Sequence, residues 1–305
     1  MEYTILIIAV LLGVSKNILT KIVKKKSASF YDTMKMNVIT FSLALVTVFF
    51  MGISSIKTIF EVPWVLAGCF AVCSLGSLIA LMKAMELGSV SLSSLFYSCG
   101  FILPTIFGAV YYNEEINAMH IVGIALIVVS FSFSIKKEQG KSFNLGWLFS
   151  ALSGLFFSGM LAILQKIFAS EYAGCKLDNF LCVAFAFIII MSAIATLLAW
   201  FYKERKVQQK EATIEENVDK KVLIRRYGFT VLLGFVMGLL NKTNTFLAGA
   251  LPSVLLFPIM NGGVILTTTV CSMFIFNEKL SKMQKIGLFV GILGIVCITV
   301  AKIIA

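Results

Sequence analysis

The stretch YYNEEINAMHIVGIALIVVS (111–130) is a short polar turn running into an apolar block, and IFNEKLSKMQKIGLFVGILG (275–294) repeats it at a constant offset of 164. Asn113-Glu114 falls on Asn277-Glu278, Gly123 on Gly287 and Ser130 on Gly294. More weakly, Lys21 matches Lys166 and Thr20 matches Gln165. A polar turn and an apolar run recurring together predict a duplicated unit. The division falls into residues 1–138 and 139–305, with five apolar segments in each part.

The same apolar character extends outward along the chain. Its 305 residues are 59% apolar and 13% charged, with a mean hydropathy of +0.96. Soluble domains carry about 45–50% apolar and about 25% charged residues. An excess of this size in long blocks marks a polytopic membrane protein, and excludes disorder, collagen-like repeats and a disulfide-stapled secreted fold. A helix needs about 20 mostly apolar residues to cross the hydrocarbon. Ten segments qualify, at 3–22, 34–52, 62–84, 91–112, 119–135, 145–168, 180–202, 227–248, 253–276 and 283–304. They lack the strict alternation of barrel strands, so the expected fold is all-α integral membrane, with ten transmembrane helices. The first segment has no basic region before it and no small-residue cleavage site after it, which reads as a retained helix. Five crossings per unit force the second copy into the membrane upside down, giving a 5+5 inverted repeat. That arrangement is a signature of secondary transporters.

Charge is unevenly shared between the connections. The net charge is +11, from 26 Lys and Arg against 15 Asp and Glu. Connections after the odd-numbered spans hold 20 basic residues, whereas the side of the N-terminus holds Lys57, Lys166, Lys176 and Lys302. The basic-residue rule then puts both termini outside a plasma membrane, and assigns the excess charge to lipid headgroups rather than nucleic acid. The long connection KERKVQQKEATIEENVDKKVLIRR (203–226) carries eight basic and five acidic residues with no apolar stripe, and reads as a solvated linker or frayed helix.

Polar residues inside the spans are the candidate site, since an ionisable group at mid-membrane costs about 2.5–3.5 kcal/mol on insertion scales. Lys16, beside Asn17, shares a helical face with Ala9, Gly13 and Thr20; snorkelling to a headgroup is the alternative. Gly234, Gly238, Asn241, Lys242 and Thr245 form a small-and-polar stripe, and NKTN (241–244) adds Asn244. That stripe wants either water or close helix packing. Asn261 follows Pro258 on the ninth span, Tyr97 lies at the matching place on the fourth near Pro104, and Gln165 shares a stripe with Gly154 and Ser158. The prolines read equally as packing kinks or as sources of free carbonyls. No acidic residue lies deep enough to neutralise Lys16 or Lys242, so both are expected to be unpaired and to favour anionic or zwitterionic solutes; proton exchange at the lysines stays open. Lys83 and Glu86 are expected to pair locally at the surface. Glu114 and Glu278 are expected to cap the helices that follow them, with gating as the alternative. His120 reads as interfacial. Gly123, Gly287, Gly291 and Gly294 read as close-packing surfaces.

One histidine and seven cysteines scattered in apolar helices give no zinc pattern, and no Walker A, dinucleotide, HExxH or GxSxG motif occurs. No cofactor, metal or enzyme activity is expected.

The stretch KAMELGSV (83–90), the Pro-bearing helix reaching Tyr112, the NEE turn and a Gly-bearing fifth helix resemble a half-repeat of the drug/metabolite transporter superfamily, in its ten-helix EamA-type branch. The second copy runs from LAGALPSV (247–254) through NEKLS (277–281). The resemblance implies a central cavity lined by spans 1, 3, 4, 6, 8 and 9, and small solutes moved by alternating access. It also implies cytoplasmic termini, opposite to the basic-residue count, and a shorter connection than 203–226. The expected function is secondary transport of small polar metabolites, amino-acid-like, organic-anion or sugar-type. A non-transporting helper or receptor, and an intramembrane enzyme on lipid-linked substrates, are the alternatives.

Overall fold

A computed structural model describes residues 2–23, 30–52, 61–88, 90–133, 145–172, 174–207, 220–275 and 281–304, and contains no strand among them. The helices are α1 (Glu2–Val23), α2 (Phe30–Gly52), α3 (Trp64–Leu87), α4 (Val90–Ser98), α5 (Ile102–Tyr111), α6 (Ala118–Phe133), α7 (Leu145–Glu171), α8 (Leu177–Val207), α9 (Lys220–Ala250), α10 (Ser253–Ile275) and α11 (Lys282–Ile304). Nine helical stretches among the described residues are long and apolar enough to cross a membrane, with α6 a shorter apolar helix of 16 residues. Large apolar side chains face outward on them: Phe50 and Val65 are each 82% exposed. Water would penalise that surface, and acyl chains would not. The chain is an all-helical, multi-pass membrane protein.

The fourth span, expected as one helix, is broken. A 3₁₀ turn over Cys99–Phe101 separates α4 from α5. Pro104 has no N–H to return to Gly100, so the α-helical ladder cannot run straight through this point. The break is packed rather than open. Ser158 on α7 places its hydroxyl 3.0 Å from both the Tyr97 and Leu155 carbonyls, and the Thr105 hydroxyl donates to the Phe101 carbonyl at 2.8 Å. A Cβ on Gly159 would come within 2.6 Å of the Gly100 carbonyl, so glycine lets α7 lie against the break. Of the two readings of this proline, the structure has the packing kink.

Contacts within the chain divide it into two compact units. One comprises Met1–Val14, Val72–Ala173 and Thr243–Ala305; the other comprises Ser15–Ala71 and Gly174–Lys242. Each draws chain from both 1–138 and 139–305. In the first unit α6 packs along α11. Cβ atoms added at Gly123 and Gly294 would each lie 2.8 Å from the other's carbonyl oxygen, and one at Gly291 would lie 2.8 Å from the Ser130 hydroxyl. These are the close-packing surfaces expected of the glycines. In the second unit α2 packs along α8. Asn37 donates to the Ser192 hydroxyl at 2.9 Å, and Phe41 meets Phe185 edge-on at 5.4 Å. A Cβ at Gly234 would lie 2.7 Å from the Thr40 carbonyl, and one at Gly238 would lie 2.9 Å from the Ala44 carbonyl. The glycine part of the expected cavity stripe on α9 is therefore a seam against α2. The charged connection extends α8 to Val207 and starts α9 at Lys220, and residues 208–219 lie outside those described.

Gly123→Ala and Gly294→Ala should each lower thermal stability in detergent by about 1–3 kcal/mol, because the new methyl meets backbone that cannot swing away. Gly68→Ala, with nothing within 4 Å of its Cβ position, should be neutral or stabilising. Equal melting shifts for all three would mean that the α6–α11 seam is not as tight as described.

Candidate functional site

Asn113 ends α5 with a left-handed φ of 50°, a conformation asparagine tolerates better than most residues. The reversal carries Glu114 away from the helix it precedes and toward α10. Its Oε2 accepts from the Val254 N–H at 3.1 Å, and its Oε1 accepts from the Ser253 hydroxyl at 3.1 Å. Glu114 thus caps α10, and not α6 as expected. The negative carboxylate suits the positive end of the α10 dipole and satisfies N–H groups that have no partner in their own helix. Lys166 of α7 completes the cluster. Its ammonium lies 3.0 Å from Glu114 Oε1, donates to the Leu251 carbonyl at 3.1 Å and sits 5.4 Å from the Tyr112 ring centre. The Lys166 and Glu114 side chains are only 8% and 11% exposed. A Cβ on Gly108 would reach within 2.6 Å of Glu114 Oε2, so only glycine leaves room for this approach.

Sequence reasoning counted Lys166 among the interfacial lysines; the structure buries it in an ion pair. The available signals were its match to Lys21 and its place beside Gln165, but neither names Glu114 as its partner. At the edge of the cluster the Tyr112 hydroxyl donates to Glu171 at 3.2 Å. Burial, partly offset by a hydrogen bond with Ser170 and reinforced by the charge of Glu171, pushes the Tyr112 phenol up to about 12. It therefore stays a donor at physiological pH.

The second unit holds another pair. Lys242 on α9 lies 2.7 Å from Asp178 Oδ1, in the first turn of α8, with side chains 28% and 16% exposed. The expectation that Lys242 has no acidic partner is wrong. Asp178 lies two residues before the expected span 180–202, outside the apolar run, and the fold brings it to Lys242. Gly52 at the end of α2 gives the carboxylate its space, since a Cβ there would collide with the Asp178 oxygen.

The remaining candidates are spread over the two units. In the second, Lys16 is half-buried with its carbonyl accepting from Thr20 at 2.7 Å, and no carboxylate among the described residues pairs with it. Asn17 is half-buried beside it on α1. Asn241 returns its amide to the Met237 carbonyl at 2.9 Å. In the first unit, Asn261 does the same to Phe257 at 3.1 Å, Gln165 is buried, and Tyr97 is half-buried. Asn244 differs. Its Oδ1 is buried and accepts no hydrogen bond from any described residue. A groove of about 260 Å³ runs between Gly76, Ile79, Ala80 and Lys83 on α3 and Phe149, Ser150, Ser153 and Phe157 on α7, and none of the eight candidates lines it.

Three smaller expectations concern helix ends. Lys83 and Glu86 form the exposed local pair foreseen, at 3.0 Å. His120 lies in the first turn of α6 and is buried within the protein: its Nδ1 accepts from the Asn117 N–H at 3.3 Å, while Asn117 Oδ1 accepts from the His120 N–H at 3.1 Å. The same reciprocal cap opens α11, where Gln284 Oε1 accepts from the Ser281 N–H at 3.0 Å and Ser281 Oγ from the Gln284 N–H at 3.3 Å. Glu278 lies outside the described residues.

No family model matches the chain. Over 309 aligned residues it is 26% identical to an uncharacterised protein of Haemophilus influenzae, with 96% of each chain covered. It also resembles a solved crystal structure at a TM-score of 0.75 and 13% identity, over 98% of this chain and 96% of that one. At that identity the likeness establishes a recurring fold.

Breaking the Asp178–Lys242 pair from either side should destabilise. Asp178→Asn and Lys242→Gln should each cost about 1–3 kcal/mol, and the double variant should cost less than their sum, because each single change strands a charge. Strict additivity in a melting cycle would mean that the two groups do not interact in the membrane-embedded protein.

Proposed function

We propose that this chain is a secondary transporter of small polar solutes, working by alternating access between two five-span parts of opposite orientation in the plasma membrane. The reading is supported above all by the matched caps at the starts of α6 and α11. Asn117 and His120 stand in the same relation as Ser281 and Gln284, each pair separated from its counterpart by 164 residues. Different residue types making the same reciprocal bonds at one offset are what a duplication leaves after its sequences have drifted. A five-span unit duplicated in tandem crosses the second time in the opposite sense, and inverted halves suit a centre that faces either side in turn. The resemblance of the two NE-bearing stretches to EamA-type transporters points the same way.

The solute class shifts once Asp178 is included. Unpaired lysines favoured an anion or a zwitterion, whereas a lysine beside a carboxylate suits a zwitterion such as an amino acid, or a neutral polar solute. Carboxylate and ammonium together also suit proton coupling. Asn244 is the candidate that a solute would complete, since a buried acceptor left without a donor costs about 1–3 kcal/mol.

Purified protein in liposomes should carry a labelled polar metabolite along its gradient, with a proton gradient changing the rate if coupling holds. Asn244→Leu separates site from scaffold: stability should hold or rise as the orphaned oxygen is removed, while flux falls about tenfold through loss of one hydrogen bond. Unchanged flux in that variant would take Asn244 out of the solute path. Protein-dependent flux absent for every amino acid, organic anion and sugar tried would end the transport reading.

A further inference from the structure

We infer that Glu114 is a latch: it ties the end of α7 to the start of α10 on the side of the N-terminus, and it must let go before the α9–α10 connection can move. Three chain segments meet at this one carboxylate. It comes from the α5–α6 connection, it holds the Lys166 ammonium of α7 at 3.0 Å, and it accepts from Ser253 and Val254 at the first turn of α10. Lys166 adds a direct bond to the Leu251 carbonyl in the α9–α10 connection, at 3.1 Å. None of these bonds is local in sequence. A cap from its own chain segment would have served α10 as a helix, as Asn117 serves α6 and Ser281 serves α11. Capping from a distant segment instead makes the α10 start depend on where α7 and the α5–α6 connection lie.

The chemistry suits a closure that opens. The pair is nearly dry and supported by neutral donors and acceptors on both members, so it is specific in the closed state. Each member nonetheless lies within a turn or so of a helix end, where water can take over its hydrogen bonds once the segments part. Close packing beside the pair tells the same story: a Cβ on Gly249 at the end of α9 would lie 3.1 Å from that of Ala169 on α7, so the two helices touch there in the closed form. The purpose given to the latch rests on the transport reading above; the tie between segments does not.

Hydrogen exchange on the full chain in lipid nanodiscs tests the tie, because the Val254 amide is itself one of its bonds. Glu114→Gln and Lys166→Met should each speed exchange in residues 247–256 about tenfold, with the core amides of α2 and α8 unchanged. Ser253→Ala, which removes one neutral bond and keeps the charges, should give a rise of about two- to threefold and serves if the charge variants do not fold. Ala169→Cys with Gly249→Cys should form a disulfide under mild oxidation that stops flux, and reductant should restore it. Unchanged exchange at 247–256 in the folded variants overturns the latch whatever the flux. Full flux through the oxidised double-cysteine protein overturns its role in opening. Increased exchange together with no flux in the unmodified protein would leave the tie standing and remove the transport reading alone.

Discussion

A charge withdrawn from water into hydrocarbon must find its counter-charge and its hydrogen bonds within the protein, and that requirement decides where this chain can keep polar groups. Glu114 and Lys166 meet it with one ion pair, a helix cap, a hydroxyl and a carbonyl. Asp178 and Lys242 meet its charge part with a shorter pair, in space provided by Gly52. The apolar remainder is organised by the same demand on the backbone. Helices satisfy their own ladders, and the break in the fourth span, at Cys99–Phe101, borrows a hydroxyl from α7. Glycines then set how closely neighbouring helices lie, at Gly123 and Gly294 in one unit and at Gly234 and Gly238 in the other.

The spans were legible in the sequence because a hydrocarbon core imposes a length and a composition on anything that crosses it. The glycine seam of α6 and α11 was legible for a related reason: without a hydrophobic drive between helices, small residues on one face mark contact, whereas on α9 the same signal read equally as cavity lining. Charge pairing was legible only where it is local, at Lys83 and Glu86. Lys166 pairs across 52 residues and Lys242 across 64, and nothing in the local pattern of either lysine distinguishes a buried partner from a reachable headgroup. The helix that Glu114 caps was also hidden. Asparagine at 113 announces a reversal but not its direction, and an acidic residue just before a helix reads most simply as the cap of that helix. The break in the fourth span was half legible, since Pro104 marks a kink while its filling depends on Ser158, 61 residues from the Tyr97 carbonyl it bonds.

Both corrections change the electrostatic picture in one direction. Lys166 no longer counts toward the charge facing the headgroups on the side of the N-terminus, which leaves Lys57, Lys176 and Lys302 against the 20 basic residues on the other side. Lys242 no longer stands as a bare ammonium. Of the two lysines first singled out, only Lys16 lacks a carboxylate among the described residues.

Everything functional proposed for this chain requires that its two parts cross the membrane in opposite senses. Glu115 and Lys282 are both exposed, Glu115 in the connection before α6 and Lys282 at the start of α11. Glu115→Cys and Lys282→Cys, each treated with a membrane-impermeant thiol reagent on oriented vesicles, report the side directly. Opposed halves predict that one position labels only from outside and the other only from inside. Labelling of both from the same side would contradict the inverted duplication and, with it, the carrier built upon it.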